Sequence, residues 1–497
     1  MSEPVIDDHG YFWWSDEPVP PNQFAPDSSV AGTIRINGDG RIDLELHAVM
    51  PNEHGAWGAA ASSGKPIPPG RGIHGILKGS GRSVLLSGVT KSGAHLATAG
   101  ISYEKFFAEH ALLGRGALRS EELPLSFRSL VIELGGFEEW LILRSIESER
   151  TQTTLTARYE APEDVTYPLE EGTLVLRYDI SGPYLGKGRT RHLELIESAS
   201  IEYVPKVHIS LEEAKQEYGL LAELFIVLTG SSYRLDWPVL TDGGNDNRYQ
   251  FVFMRHSSTA KPPELHECWT TFPGIKESFG EIAARWRKKR EEFGPGIALY
   301  LGTQRETGLY VENRFVNLVW GVEALHRKMF PPGQVPTALQ EKIARILGQI
   351  EQQKDRKWLE RQLEYAAEPR LEARIFETFS RLPLGLEEEP LRSFSTACAM
   401  QRNRISHFGG QDASEDYRKF VIDLARKSDA LTYLYHVLLL QEIGINPEII
   451  RSFVYRGFRS YPIKSAFAEA GLLPRSALAD QDEGAGVAGG APLGGAG

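Results

Sequence analysis

The sequence predicts an α+β multidomain chain, with a β-rich N-terminal half followed by an all-α helical bundle. Three observations carry that reading. Up to about residue 204, apolar and polar residues alternate in short runs separated by glycine-rich turns, the pattern of half-buried strands. From about residue 297 the apolar residues recur at helical spacing instead. The charge also divides: residues 1–300 carry 30 Lys+Arg against 41 Asp+Glu, whereas residues 301–460 carry 23 against 21.

Composition bounds the function. With 497 residues the chain is long enough for two to four domains, and 41% hydrophobic with 24% charged residues is ordinary globular usage. No apolar run approaches the roughly 20 residues of a membrane-spanning helix. The acidic start, Met1 to Asp8, lacks a signal-peptide core. Cys268 and Cys398, the two cysteines, are far apart and offer neither a disulfide framework nor a zinc site. A cytoplasmic protein is expected. The net charge of −11 argues against a general nucleic-acid coat, and leaves room for local phosphate contacts in the helical part.

Taken in order, residues 1–30 read as an extended lead-in whose aromatics, Tyr11 to Trp14, dock on the first domain. Gly32–Asn37 and Ile42–Val49 flank Gly38-Asp39-Gly40 and form a hairpin. Ile73–Gly79 and Ser83–Val89 form a second. No helical period is seen before about Tyr103. Gly70-Arg71-Gly72-Ile73-His74-Gly75 matches G-x-G-x-x-G, but it follows prolines and enters a strand, so the dinucleotide reading fails its context and His74 is a strand residue. Further strands are Leu130–Leu134, Thr153–Tyr159, Thr173–Tyr178 and Ser200–Val204. Ser210 and Glu213 make a capping box for a helix reaching Thr229-Gly230. Tyr233–Trp237 and Tyr249–Met254 are strands, and Asp242 to Asn247 between them lacks the spaced ligands of a calcium loop and is a turn.

Phe279–Phe293 is a helix with a basic run, Arg285 to Arg290, and Gly294-Pro295-Gly296 is a separator. The helix around Arg314–Met329 carries Phe315, Leu318, Val322 and Leu325 on one stripe. Glu323 and His326 stand three apart, a spacing found in metal sites. Without a second such pair, Glu323 is better read as a buried partner for a basic group or an active-site neighbour. Pro331-Pro332-Gly333 ends this helix. Residues 337–380 hold two charged amphipathic helices. A helix from Leu391 to Phe408 follows, then one over 415–443, in which His436 is a core histidine. A short helix at Ile449–Tyr455 comes next. The tail beyond about Ala477 is Gly/Ala-rich and reads as disordered.

The chemistry concentrates in Gln401-Arg402-Asn403-Arg404-Ile405-Ser406-His407-Phe408-Gly409-Gly410. Leu391, Phe394, Cys398, Ile405 and Phe408 fall on one apolar face, and Gly409-Gly410 supplies the stop. Asn403 and His407, four apart, share a roughly opposite face with Met400; Arg402 sits between the two faces. A histidine in a last helical turn is favoured in its protonated form by the free carbonyls, and can take or return a proton near neutral pH. An arginine beside it can neutralise a phosphorane oxygen. Asn403 can orient the imidazole or a phosphate. That set suffices for RNA cleavage with the 2′-hydroxyl as nucleophile, with no metal or cofactor required. One Arg and one His on a helix that ends at a double glycine also fit an ordinary surface helix.

Arg-Asn-x-x-x-His in a helical domain resembles the HEPN superfamily. Tyr310–Arg327 resembles the first helix of its ApeA-like branch, and Leu431–Leu440 its closing helix. The resemblance covers roughly 300–460 well and the N-terminal half more loosely. It implies a β-rich ApeA-type domain over 1–125, a second α+β sensor or regulatory domain over 126–293, a HEPN domain over 297–465 and a tail over 476–497. It implies a ribonuclease of anti-phage abortive infection, with Arg402, Asn403 and His407 catalytic and a site shared across a homodimer. Arg404, Ser406 and Glu323 are candidate phosphate-binding residues or neighbours of that site. The implied partners are RNA (tRNA or another host or phage RNA) and a phage-protein trigger sensed by the N-terminal half. The alternative is a HEPN-type module that only dimerises or binds RNA, attached to a β-rich protein-binding sensor.

Overall fold

The computed structural model describes residues 4–51, 71–95, 102–115, 125–185, 193–242, 247–256, 258–305, 308–331, 337–363, 368–408 and 416–478. Gly70, Pro332-Gly333, Gly243–Asp246, Gly409-Gly410 and the Gly/Ala-rich tail from 479 lie outside the described residues. So do the side chains of His407 and Phe408. The chain divides into two compact units, Met1–Glu223 with Ser232–Pro263, and Leu224–Ser231 with Glu264–Gly497.

The first unit is built on one twelve-stranded sheet, with every pairing antiparallel. Its strands are β1 (Pro4–Trp14), β2 (Val30–Asn37), β3 (Ile42–Leu46), β4 (Ile73–Leu77), β5 (Ser83–His95), β6 (Tyr103–Gly114) and β7 (Phe127–Glu133). A separate hairpin, β8 (Ile146–Arg150) and β9 (Leu155–Tyr159), follows. Then come β10 (Val165–Pro168), β11 (Gly172–Leu185), β12 (Leu193–Pro205), β13 (Val239–Asp242) and β14 (Arg248–Phe253). The order β6-β3-β2-β1-β4-β5 returns to β6 and closes a six-stranded barrel. The strand β6 is shared: residues 104–108 pair with β3, and 110–113 pair with β14. From β14 the sheet runs on through β13, β7, β12 and β11 to β10.

The stretch expected as a lead-in is β1, a barrel strand between β2 and β4. Its outward residues are polar and satisfied across the sheet. Asp7 pairs with Arg35 at 3.3 Å, and Asp8 accepts the backbone N–H groups of Gly79 and Ser80 at 3.0 and 3.2 Å. Only Phe12, Trp13 and Trp14 are fully committed to the core, so the sequence lacks the apolar alternation of its neighbours. The β2–β3 turn is as expected: Gly40 has φ +88° and donates its N–H to Asn37 O at 2.9 Å. Gly75 is a packing glycine, since a Cβ there would lie 2.5 Å from the Phe12 ring.

Where helical periodicity was expected to begin, β6 continues the barrel. Its inward positions include Glu104 as well as Phe106 and Ala108. Glu104 is 1% exposed and makes an ion pair with Lys91, itself 4% exposed. The second Glu104 oxygen accepts the Met50 N–H at 2.8 Å. Helix α1 (Leu211–Thr229) has the expected capping box: Ser210 N donates to Glu213 Oε2 at 2.8 Å, and Glu213 N donates to Ser210 Oγ at 3.3 Å. Tyr233–Trp237 is not a strand. Pro238 carries no N–H, and the ladder starts at Val239.

The second unit is helical: α2 (Phe279–Phe293), α3 (Pro295–Arg305), α4 (Val311–Met329), α5 (Thr337–Gly348), α6 (Gln353–Leu363), α7 (Leu371–Phe379), α8 (Glu388–Phe408), α9 (Tyr417–Glu442), α10 (Pro447–Tyr455) and α11 (Ser460–Glu469). The helix α4 packs against α3, α7, α8 and α9 and buries Phe315, Leu318, Val319, Val322 and Leu325. Gly294-Pro295-Gly296 is a break between two helices of this unit, because Pro295 opens α3 at the position where a proline fits a helix. Residues 337–380 hold three helices rather than two, with Pro369 directly before the Arg370 cap of α7.

His436 is a core residue, as expected. Its Nδ1 lies 2.5 Å from Tyr300 Oη, its Nε2 lies 2.9 Å from Val227 O, and its ring stacks on Trp269 at 4.4 Å. The carbonyl fixes Nε2–H as donor, leaving Nδ1 to accept from the tyrosine. Burial pushes the imidazole down to about 3, and that of His74, stacked on Trp13, down to about 4. Both folded values lie below the unfolded one near 6.5. Their stabilising contribution is therefore complete above that pH and lost as pH falls through it. Below it, each such histidine should remove about 1.4 kcal/mol per pH unit until its own folded value is reached. Urea unfolding should show clearly lower stability at pH 5 than at pH 7. Equal stability at the two would contradict the neutral, buried assignment.

Candidate active site

The helix α8 presents the motif. Arg392 Nε donates to Glu388 at 2.8 Å across its first turns, and Leu391, Phe394, Cys398 and Ala399 bury one face. Burial also pushes the Cys398 thiol upward, so it is an inert core group. Met400, 68% exposed, and Asn403 and Ser406, also exposed, lie on the outward side. His407 follows in the last turn, and its backbone is helical.

Arg402 is half-buried between those faces and its two terminal nitrogens are held. Nη2 donates to Glu323 Oε2 on α4 at 2.8 Å, and Nη1 donates to Asn403 Oδ1 at 2.9 Å. Its Nε is buried without an acceptor among the described residues. The other Glu323 oxygen accepts Arg327 Nη2 at 3.2 Å. Arg327 Nη1 then reaches Glu368 at 3.1 Å, and Glu368 also pairs with Arg374. Among the described residues, Arg402, Arg327 and Arg374 thus share the carboxylates of Glu323 and Glu368, with Glu377 close by on His326, and Arg402 forms the end of the network beside Asn403.

Glu323 is the partner for a basic group that the sequence suggested. It does not converge with His326, whose Nε2 lies 2.8 Å from Glu377 and whose pKa is pushed down by burial against the pull of that carboxylate. Among the described residues no three His, Cys, Asp or Glu side chains form a metal-binding group. Arg404 lies elsewhere, its guanidinium 5.8 Å from the centre of the Phe420 ring on α9. Arg327, Glu368 and Arg374 were not foreseen. Arg327, four residues after Glu323, was open to detection from spacing; Glu368 and Arg374 arrive from a different helix and its approach, and carry no local signal.

Exposed apolar residues flank this cluster. Trp320 is one turn before Glu323 on α4, and Met400 nearly one turn before Asn403 on α8. Tyr310 and Tyr417 are also exposed, and Tyr417 donates to Glu312 at 3.1 Å.

The ApeA N-terminal domain 1 model matches residues 9–286, more than half of the chain, and the Apea-like HEPN model matches residues 316–449. The chain belongs to the ApeA-like HEPN family. The HEPN match spans α4 to α9 and contains Glu323, Arg402, Asn403 and His407, while the N-terminal match contains the barrel and its sheet extension. HEPN domains are commonly ribonucleases that bind RNA and dimerise, and the ApeA-like branch points to anti-phage defence. No curated protein matches the chain, and no solved structure does. Among the described residues no helix is long and apolar enough to cross a membrane.

Proposed function

We propose that this ApeA-like HEPN protein is a metal-independent endoribonuclease of abortive infection, acting in the cytoplasm on tRNA or another host or phage RNA. The observation that carries the reading is the clamped arginine. Arg402 is held by Glu323 and Asn403, with a buried Nε–H that has no acceptor among the described residues. A phosphate oxygen at that position would complete it, and the charge that develops on phosphorus would meet a pre-oriented guanidinium.

The reaction follows from these groups. A base removes the proton of a ribose 2′-hydroxyl, whose oxygen bonds to the adjacent phosphorus. The bond to the 5′-oxygen breaks, and an acid protonates that leaving oxygen. The products are a 2′,3′-cyclic phosphate and a 5′-hydroxyl. One imidazole cannot hold both roles at once. Two His407 residues brought together by a two-fold axis beside α8 would supply base and acid, with an Arg402 from each chain. The exposed Met400 and Trp320 favour contact on this side. The β-rich half is assigned the restraint and triggering of the site, with a phage protein as the signal.

The second reading is a HEPN module that dimerises or binds RNA without turnover. Its support is that both Arg402 terminal nitrogens are already engaged within the chain, by Glu323 and Asn403. Cleavage of RNA by purified protein in a chelator, absent from a His407→Ala variant, separates the two. Sharing of the site has its own test. Mixed with excess His407→Ala chains under demonstrated subunit exchange, wild-type chains should each lose activity. Activity strictly proportional to wild-type chain number, or a fully active monomer in sedimentation, would rule the shared site out.

A further inference from the structure

A second concentration of arginines lies in the β-rich unit, where β6 passes from the barrel to the sheet extension. The register brings three strand ends together there. Ser83 on β5 pairs with Gly114 on β6, so Arg82 and Arg115 extend the two strands at adjacent ends. Leu113 on β6 pairs with Gln250 on β14, and Arg248, two residues before Gln250, shares its face of the sheet. Together with Val239 and Asn247 these residues wall a pocket of about 670 Å³, and no Asp or Glu is among its described lining residues.

Among the described residues no carboxylate pairs with Arg82 or Arg115, while Arg248 also faces Glu133, whose pKa it pulls down against burial. Arg82 Nη2 donates to two neutral oxygens, Leu113 O at 3.3 Å and Gln250 Oε1 at 3.2 Å. Burial lowers its pKa. Among the described residues, the side chains of Arg115 and Arg248 make no hydrogen bond, and Arg248 interacts at longer range with Glu133. This differs from the arginines elsewhere on the same sheet: Arg177 is held by Asp164 at 2.8 Å and Glu202 at 2.6 Å, and Arg35 by Asp7. Asp242 accepts from Asn247 N and Nδ2 at 3.3 and 3.0 Å, and is not part of the wall. In a chain of net charge −11, three converging cations with Glu133, behind Arg248, as the carboxylate acting on them among the described residues are an arrangement that an anion would complete.

We propose that this pocket binds a small polyphosphate of nucleotide size. Three forked donors match several phosphate oxygens at once and exceed what a single carboxylate would balance. The volume suits a ligand of that size, and the amides of Asn247 and Gln250 add neutral polar contacts.

Isothermal titration of the full chain with ATP and with tripolyphosphate tests the assignment, with a 2′-O-methyl RNA 12-mer as a third titrant that 2′-hydroxyl attack cannot consume. Saturable binding of one polyphosphate per chain is expected. It should weaken at least tenfold in Arg115→Glu/Arg248→Glu, where two exposed residues are changed, and in Arg82→Gln, since each removes charge-assisted hydrogen bonds to phosphate. Arg35→Gln should bind as wild type does. No saturable binding of either polyphosphate at millimolar concentration would overturn the proposal. So would unchanged affinity in Arg115→Glu/Arg248→Glu, or binding of the RNA 12-mer alone.

Discussion

Replacing His407 with alanine should reduce RNA cleavage by about 10²–10⁴-fold, the range over which general acid–base catalysis acts. Arg402→Ala should lose about 10²–10³-fold, as expected for a donor aimed at developing charge. Glu323→Gln should lose less than either, because it loosens the arginine without removing it. All three variants should keep the wild-type fold. The helix α8 is anchored by Leu391, Phe394, Cys398 and Ala399, and in Arg402→Ala the Glu323 carboxylate keeps Arg327 as its partner, so no charge is left alone. Single-turnover cleavage rates, read beside thermal midpoints, check this. A melting temperature that collapses with the activity would make these residues structural.

The largest stability effect is expected in the barrel. Glu104→Ala removes the carboxylate that pairs with the buried Lys91 ammonium and accepts the Met50 N–H. The cost should be about 3–5 kcal/mol. Removing both charges, as in Lys91→Met/Glu104→Leu, should cost much less, because no buried charge is then left alone. Urea unfolding of the two variants compares them directly. A Glu104→Ala variant within 1 kcal/mol of wild type, on the order of a surface pair, would show that water reaches the pair.

The helical half was the more legible one in the sequence. Its apolar stripes placed α4 and α8, the resemblance of Leu431–Leu440 to a closing helix pointed to α9, and the Arg-Asn-x-x-x-His spacing singled out α8. The resemblance to ApeA-like HEPN proteins, read from Tyr310–Arg327, the motif and Leu431–Leu440, agrees with the family matches. Local patterns failed where burial was paid with polar groups. The strand β1 hides because Asp7 and Asp8 are satisfied across the sheet, and β6 because Glu104 occupies an inward position. The barrel closure through β5 and β6 is a long-range pairing that no window of sequence contains. Within the candidate site, Glu323 stood out as a carboxylate on an apolar helix, but nothing local to Glu368 or Arg374 links them to it.

The nature of the cut ends tests the central claim most directly. Purified protein should be incubated in a chelator with a labelled RNA, and with the same RNA carrying a single 2′-deoxy residue at the cut position. The account predicts 2′,3′-cyclic phosphate and 5′-hydroxyl ends from the first and no cut at that position in the second. Cleavage of the 2′-deoxy substrate, 5′-phosphate ends, or activity abolished by the chelator and restored by Mg²⁺ would contradict it.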